Sequence, residues 1–306
     1  MPTHRIISLI ASATEIVAAL GFSDQLVGRS HECDFPSLVE RLPTCSASRV
    51  DIGAPSRVID EQVRSIVASA LSVYSVDPDL LNELAPTVII TQTLCEVCAV
   101  SLKDVQRAVC KLVTSQPRIV SLEPMSLGDV WTDIQTVATA LGDPDRGTTL
   151  VANLRQRLAA IADRTADLPS RPSIACVEWI DPLMMAGNWV PEIVEAAGGA
   201  NLFGTAGQHS GYLEPAALAA VDPDVIAIMP CGFDIERARQ EMPALTARPE
   251  WAGLSAVAND RVYITDGNQY FNRPGPRMVE SAEVLAELLH PDIFDFGHRG
   301  PGWTPL

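Results

Sequence analysis

Residues 86–101 read PTVIITQTLCEVCAVS, and the prediction of the fold starts from this stretch. The segment Thr87–Ile90 is apolar and β-branched and follows Pro86, a pattern typical of a buried strand. In a parallel α/β sheet, the loop at the carboxyl end of a strand faces the ligand crevice. The loop that follows this strand carries four side chains able to coordinate or hydrogen-bond a ligand: Gln92, Cys95, Glu96 and Cys98.

A second strand and loop of the same kind lie in the other half of the chain. The apolar run Val225–Met229 leads directly into residues 230–234, PCGFD. We therefore expect an α/β protein in which two such loops, one from each lobe, line a ligand cleft between the lobes.

The two halves of the chain also repeat one another in outline. The sequence TEIVAALG at 14–21 resembles PEIVEAAGG at 191–199, and LAPTVIIT at 84–91 resembles VDPDVIAI at 221–228. An irregular duplication of this kind predicts two similar α/β lobes. Chance similarity between short amphipathic helices is the alternative.

One long helix is predicted between the halves. Residues 146–167 have apolar residues at helical spacing and mixed charges, and prolines follow at 169 and 172. At 1.5 Å per residue such a helix runs roughly 30 Å, enough to bridge two lobes. An ordinary surface helix is the alternative. The predicted domains are an N-terminal lobe (1–143), a connecting helix (144–168) and a C-terminal lobe (169–306).

Several shorter elements are predicted from start and stop signals. Strand Ile6–Leu9 precedes a helix that Ser12 or Thr14 caps and Gly21 ends. Asp79 is predicted to cap the helix before Pro86, and Tyr74 and Tyr212 are predicted to lie in loops.

Composition excludes some classes of partner. The 306 residues carry 38 acidic and 22 basic side chains, a formal net charge of −16, with 47% apolar residues. Nucleic acid and anionic membranes bind basic patches, so neither is an expected partner. No apolar run reaches the roughly 18 residues that a membrane-spanning helix needs, and we expect a monomer.

Cysteine usage and the start of the chain suggest a compartment. Seven cysteines, without regular spacing outside the CxxC of 95–98, are typical of a reducing environment. The printed chain enters strand Ile6–Leu9 directly, without an apolar leader. The expected location is the cytoplasm.

A cysteine-ligated metal site is one functional hypothesis. Thiolates suit zinc or iron, and the loops predicted to face the cleft would supply Cys33, Cys95, Cys98 and Cys231. The alternative is that these cysteines pack the loops. No G-x-S-x-G elbow and no glycine-rich phosphate loop occurs, so we expect a binding protein rather than an enzyme.

The whole order of motifs resembles the cobalamin-binding branch of the periplasmic-binding-protein-like superfamily. The resemblance rests on LVGRSHECDFP (26–36), TQTLCEVCAVS (91–101), EPMSLGDVW (123–131), EWIDPLMMAGNWVPEIVEAAGG (178–199), MPCGFD (229–234) and DGNQYFNRPGPR (266–277). It implies two Rossmann-like α/β lobes joined by a single long backbone helix, with a corrinoid held between them.

The resemblance also implies roles for individual residues. Residues 32–34 correspond to a ligand-contacting tyrosine region, Gln92 to a tryptophan, Met184 to a phenylalanine and Gln269 to an aspartate. Secreted members dock on an ABC permease through one acidic residue per lobe, and Asp79 and Glu214 lie at or beside those positions.

The leading prediction is therefore a cytoplasmic protein that binds cobalamin or a related corrinoid. A cysteine-based metal protein or metalloenzyme, and an interaction module that has lost its ligand, are the alternatives. An axial bond to cobalt from a cysteine or from His31 is a further expectation. The predicted contacts share a position in a loop at the cleft: His31, Glu32, Cys33, Asp34, Tyr74, Gln92, Cys95, Trp179, Met184, Trp189, Tyr212, Cys231, Phe233, Gln269 and Tyr270.

Overall fold

Strands and helices alternate along the chain in the computed structural model, which describes residues 4–69, 72–92 and 115–306. The fold divides into two units with separate sheets. The first unit comprises Met1–Ala54, Val58–Pro124 and Gly128–Ala152, and the second comprises Pro55–Arg57, Met125–Leu127 and Asn153–Leu306.

The first unit is built on a parallel sheet. The strands up to residue 122 are β1 (Ile6–Ser8), β2 (Leu26–Arg29), β3 (Ser46–Ser48), β4 (Tyr74–Val76), β5 (Val88–Gln92) and β6 (Arg118–Leu122). Four of them form a sheet in the order β2-β1-β5-β6, and every pairing in it is parallel. Strands β3 and β4 form a separate antiparallel pair. The described helices up to residue 165 are α1 (Ala11–Ala19), α2 (Ser56–Ala68), α3 (Pro78–Leu84), α4 (Leu127–Ala140) and α5 (Pro144–Thr165).

The second unit has a larger, mixed sheet. Its strands are β7 (Ser173–Trp179), β8 (Met184–Met185), β9 (Ala200–Asn201), β10 (Gly211–Tyr212), β11 (Val225–Ile228), β12 (Val262–Thr265) and β13 (Trp303–Pro305). The order is β10-β8-β7-β11-β12-β13, and β9 pairs with the start of β7. The helices are α6 (Val190–Ala196), α7 (Pro215–Val221), α8 (Ile235–Glu241), α9 (Pro243–Thr246), α10 (Ser255–Ala258) and α11 (Met278–Leu289).

The central strands of both sheets are buried on both faces. Every residue of β1, β5 and β11 is buried, as expected for parallel strands that helices cover on each side. Ile89 in β5 and Ile226 in β11 have no exposed surface. The predicted α/β fold with two lobes is confirmed, and the long helix is present as α5.

Three local predictions are wrong. Helix α1 begins at Ala11, and Ser12 and Thr14 are buried inside it rather than capping it, because the chain turns directly from β1 at Ile10. The cap of α3 is Asp77, whose carboxylate accepts from the backbone N–H groups of Asp79 and Leu80. Tyr74 lies in β4 and Tyr212 in β10, because each residue pairs with a neighbouring strand.

Candidate ligand-binding site

The carboxyl ends of the parallel strands in the first unit place several of the predicted contacts. Strand β2 ends at Arg29 and is followed by Ser30–Asp34, beside the end of β1. The pair β3–β4 supplies Ser46 and Tyr74 to the same group. The first unit therefore brings together two segments that are 42 residues apart in sequence.

His31 is held by serine hydroxyls. Its Nδ1 atom lies 2.8 Å from Ser46 Oγ and 3.4 Å from Ser30 Oγ, and its backbone N–H donates to Ser46 Oγ at 3.2 Å. The side chain keeps 21% of its surface exposed. Burial, and then the charge of Arg29, lower the pKa of His31, so the neutral ring is favoured.

Tyr74 lies against the same imidazole. The two ring centroids are 5.1 Å apart at an angle of 50°, and the Tyr74 hydroxyl donates to Glu32 Oε1 at 2.8 Å. This contact fixes the phenol and leaves Tyr74 half-buried. His31, Glu32 and Tyr74 thus form one cluster, and their contact with a ligand stays a prediction.

Cys33 points inward from the same loop. The side chain is 1% exposed, the Thr14 hydroxyl donates to its Sγ atom at 3.0 Å, and Sγ lies 4.0 Å from the Ser8 carbonyl oxygen. The thiol therefore packs the loop against α1 and β1. Asp34 follows it and is half-buried.

Gln92 ends β5 at the same edge of the sheet. It is 3% exposed, and its Oε1 atom has no hydrogen-bond partner among residues 4–69, 72–92 and 115–306. The predicted contacts Cys95, Glu96 and Cys98 lie outside the described residues.

A second aromatic cluster lies at the carboxyl ends of strands in the second unit. Trp179 ends β7, Phe233 follows β11, and their ring centroids are 5.1 Å apart. The guanidinium of Arg237 lies 4.8 Å from the centre of the Phe233 ring. Trp179 is half-buried, and its indole N–H donates to the Ser56 carbonyl at 3.2 Å.

The second unit also contains an ion-pair group that sequence reasoning missed. Arg57 makes two hydrogen bonds to Asp181, at 2.7 and 2.9 Å, and Glu241 accepts from the backbone N–H and hydroxyl of Ser56. Arg248 approaches Asp181 at 3.7 Å. Since 124 residues separate Arg57 from Asp181, no local pattern signals this pair.

The remaining predicted contacts of the second unit are spread over its surface and core. Met184 and Tyr212 are partners in register, and Tyr212 is 54% exposed. Trp189 is 5% exposed and its indole N–H donates to the Phe271 carbonyl at 2.6 Å, so this ring belongs to the core. Cys231 is exposed on the loop after β11.

Gln269 and Tyr270 lie in a tightly bonded loop after β12. Asp266 accepts from both the backbone and the side-chain amide of Gln269, and Arg277 donates to Gln269 Oε1 at 3.3 Å. Burial raises the pKa of the Asp266 carboxyl. Tyr270 packs edge-on to His298, with 5.9 Å between ring centroids. As ligand contacts, both residues stay predictions.

A cysteine-based metal site finds no support in the part of the chain that the structure describes. That part contains no group of three or more His, Cys, Asp or Glu side chains placed to hold a metal ion. Cys33 is buried in the first unit, whereas Cys231 is exposed in the second. Burial raises the pKa values of Cys45 and Cys176 to about 12, so both thiols stay protonated.

The two predicted docking residues are exposed. Asp79 lies in the first turn of α3, and Glu214 is the N-cap residue of α7. Their role in docking stays a prediction. Among the described residues, no helix has the length and apolar character needed to cross a bilayer.

Comparison with known proteins gives a consistent picture. The family model described as periplasmic binding protein matches residues 6–269. A substrate-binding lipoprotein of an ABC transporter from Bacillus subtilis, YvrC, is 24% identical over 294 residues, 95% of this chain and 81% of that protein. The vitamin B12-binding protein of Vibrio cholerae is 25% identical over 290 residues, 94% of this chain and 90% of that protein. A cobalamin-binding protein of Halobacterium salinarum is 27% identical over 297 residues, 94% of this chain and 69% of that protein.

Solved structures share the fold. A periplasmic heme-binding protein from Pseudomonas aeruginosa has a TM-score of 0.74 at 21% identity, covering 100% of this chain and 98% of that one. The periplasmic vitamin B12-binding protein BtuF of Vibrio cholerae has a TM-score of 0.63 at 22% identity, covering 94% of this chain and 97% of that one.

The cytoplasmic location expected from the sequence is wrong. The matched family is described as periplasmic, one relative is a lipoprotein of an ABC transporter, and the solved neighbours are periplasmic. These findings point to an extracytoplasmic protein. Free cysteines misled the prediction, because buried thiols such as Cys33 and Cys176 are shielded by packing and say little about the compartment.

Proposed function

Since the chain belongs to the periplasmic binding protein family, as a substrate-binding protein of the ABC-importer type, we propose that its ligand is cobalamin or a related corrinoid. The protein would bind this ligand without changing it chemically. Relatives named for vitamin B12 or cobalamin, each matched over 94% of this chain, support the choice of ligand.

One structural observation carries the proposal. Each unit has a pair of aromatic rings with 5.1 Å between centroids. In the first unit His31, which follows the parallel strand β2, lies against Tyr74 of the antiparallel strand β4. In the second unit Trp179 and Phe233 lie at the carboxyl ends of β7 and β11. Polar groups adjoin both pairs, namely Glu32 and Arg237. A large flat ligand with an apolar face and polar edges is the type that such side chains recognise.

Heme is the second candidate. The fold match to a heme-binding protein favours it, and an imidazole next to a phenol suits iron as well as cobalt. Charge favours the corrinoid, because heme carries two carboxylates, whereas the side groups of the corrin ring are mostly neutral amides. A chain of net charge −16 with a glutamate in the His31 cluster is a poorer partner for the dianion.

The test is a direct titration. Purified protein is titrated with cyanocobalamin and, separately, with hemin, and binding is followed by tryptophan emission and calorimetry. We expect micromolar or tighter binding of cyanocobalamin and weaker binding of hemin. Chromatography of the released ligand should recover it unchanged. Absence of cyanocobalamin binding at 100 μM ligand, about −5.5 kcal/mol, would overturn the proposal.

Variants connect this binding to the aromatic pairs. Tyr74→Ala and Trp179→Ala should each weaken binding by about tenfold, since an aromatic contact contributes about 0.5–1.5 kcal/mol beyond its buried area. Tyr263→Phe is the matched control, because Tyr263 packs edge-on against Trp303 where β12 pairs with β13. Equal loss in all three variants would argue against the assigned contacts.

A further inference from the structure

We propose that His31 is the residue that bonds to the metal of the bound tetrapyrrole, through Nε2 in an axial position. The inference rests on the proposed function and deepens it, because it predicts which form of the ligand the protein prefers. It also favours the imidazole over the cysteines that the structure describes, an alternative that the sequence leaves open.

The hydrogen bonds around Nδ1 select a tautomer. Ser46 Oγ accepts from the backbone N–H of His31 and lies 3.1 Å from Ser30 Oγ, to which its own proton is directed. With that proton in use, Ser46 Oγ acts toward Nδ1, 2.8 Å away, as an acceptor. This arrangement favours the Nδ1–H tautomer of His31, with the lone pair on Nε2.

Nε2 is left available. Glu32 Oε1 lies 4.0 Å from Nε2, beyond hydrogen-bond distance, and that oxygen already accepts from Tyr74. Among the described residues, Nε2 takes part in no hydrogen bond. A neutral imidazole whose Nδ1–H is held by a polar partner and whose Nε2 is unused is the arrangement that metal-ligating histidines adopt.

Tyr74 and Ser30 make the imidazole rigid. The phenol packs against the ring face, and its hydroxyl is anchored on Glu32, so the ring cannot swing toward that side. The backbone N–H of Glu32 donates to Ser30 Oγ at 3.4 Å, which ties the loop to the same hydroxyl pair. An oriented ligand loses less entropy when it bonds to a metal.

The described cysteines are poorer candidates. Cys33 is 1% exposed, and its sulfur already accepts a hydrogen bond from the Thr14 hydroxyl. Cys45 and Cys176 are buried, and the thiolate that would bond a metal is suppressed in both. Cys231 is exposed on the loop after β11.

The reaction is a ligand exchange without redox chemistry. In aquocobalamin, the cobalt–oxygen bond to water breaks and the water leaves for solvent, while the Nε2 lone pair forms a cobalt–nitrogen bond. Cobalt keeps its oxidation state and no proton is transferred, because Nε2 carries none. In cyanocobalamin, the strongly bound cyanide occupies the same position and blocks the exchange.

The experiment compares aquocobalamin with cyanocobalamin on the same protein. The wild type should bind aquocobalamin at least tenfold more tightly and shift its visible absorption bands to longer wavelength, whereas cyanocobalamin bands should stay in place. His31→Ala should bind both forms equally and lose the band shift. His31→Gln is the second variant in case the smaller side chain disturbs the loop.

Two further variants sharpen the assignment. His209→Ala is the matched control, because His209 is exposed in the second unit, and it should keep the wild-type ratio. Ser46→Ala frees the tautomer and should lower the preference for aquocobalamin severalfold without abolishing the band shift.

The outcomes separate the two proposals. If the wild type binds both cobalamins equally and without a band shift, the axial assignment is overturned while the proposed function stands. If neither cobalamin binds, the proposed function fails. In that case ferric heme serves as the probe, and loss of its low-spin spectrum in His31→Ala supports the same bond to iron. An unchanged spectrum overturns it.

Discussion

The two units have the same parallel core and different surroundings. The order β2-β1-β5-β6 in the first unit corresponds to β9-β7-β11-β12 in the second, with every pairing parallel. The helices that precede β5 and β11 also match. Each has seven residues, begins with proline and ends at a residue with positive φ: Ala85 at 41° after α3 and Asp222 at 50° after α7.

The two units differ in the strands that each adds to the parallel core. The second unit adds the antiparallel strands β8, β10 and β13, and its C-terminal segment is tied to α11 by charged side chains. The first unit instead adds the β3–β4 pair, which carries Tyr74 and Ser46 to His31. The shared core thus provides the frame in both units, whereas the added strands determine which side chains reach its edge.

The largest effect is expected from the shared core. Ile89→Ala and Ile226→Ala remove matched, fully buried side chains from β5 and β11 and should each lower the free energy of unfolding by about 2–5 kcal/mol. Denaturant unfolding followed by circular dichroism measures both. Ile52→Ala, at a side chain 71% exposed, is the control. A loss in only one unit would break the equivalence of the cores.

Removing the buried hydrogen bonds of Glu287, which only the second unit has, should lower the free energy of unfolding by about 3 kcal/mol. Glu287 is 3% exposed and accepts from Trp303 Nε1, from the backbone N–H of Phe296 and from that of His298. Glu287→Ala leaves these donors unsatisfied in a buried site, each costing about 1–3 kcal/mol.

Tryptophan emission would report the Glu287 variant well. Four of the five tryptophans lie in the second unit, at positions 179, 189, 251 and 303, and Trp131 lies in the first. Glu195→Ala, at an exposed position of α6, is the control. A stability equal to that of the control would show that the C-terminal segment is dispensable.

The pH dependence of stability should differ between the units. Burial raises the pKa of Asp133 in the first unit to about 7. Between pH 3.8 and 7 the unfolded carboxyl is ionised while the folded one stays protonated, so stability falls as pH rises through that window. Asp133→Asn should abolish the decrease in stability that Asp133 causes between pH 3.8 and 7.

In the second unit the hydrogen bond to Glu283 raises the pKa of His298, and Glu280 and Glu287 act in the same direction. Arg157, which bonds Glu283 from α5, is the opposing charge nearby. Protonated His298 therefore stabilises the folded protein fully below pH 6.5, and this stabilisation is lost as pH rises through the pKa of His298 in the folded state. His298→Gln should flatten the stability profile above pH 6.5. A change of slope above pH 7 in Asp133→Asn, or between pH 4.5 and 6.5 in His298→Gln, would contradict the assignment.

The smallest effect concerns the matched helices α3 and α7. The Asp77 side chain caps α3 with two backbone hydrogen bonds, whereas Glu214 at the same position of α7 makes no cap bond. Asp77→Ala should lower the free energy of unfolding by about 1 kcal/mol, and Glu214→Ala should lower it by less than about 0.5 kcal/mol. Glu214→Ser should stabilise α7. Thermal unfolding measures all three, and equal losses for the two alanine variants would show that the caps do not differ.

Local sequence signals are sufficient to predict the central strands, the α/β class and the two-lobed duplication. Apolar β-branched runs such as Val225–Ile228 and glycine stops such as Gly21 and Gly142 are local signals, and local sterics decide them. Motif order was sufficient for the family as well, since residues 6–269 match it.

Which side chains contact one another depends on the tertiary structure. His31, Ser46 and Tyr74 lie in separate segments, and long-range strand pairing brings them together without a periodic signal in the sequence. Threonine is a common helix-capping residue, but Thr14 lies inside α1 because the helix begins directly after β1. Its hydroxyl instead donates a hydrogen bond to the buried Cys33. Packing also placed Trp189 in the core. Burial and hydrogen-bond partners depend on the whole chain, and for that reason the chemistry of these side chains could not be read from their neighbours in sequence.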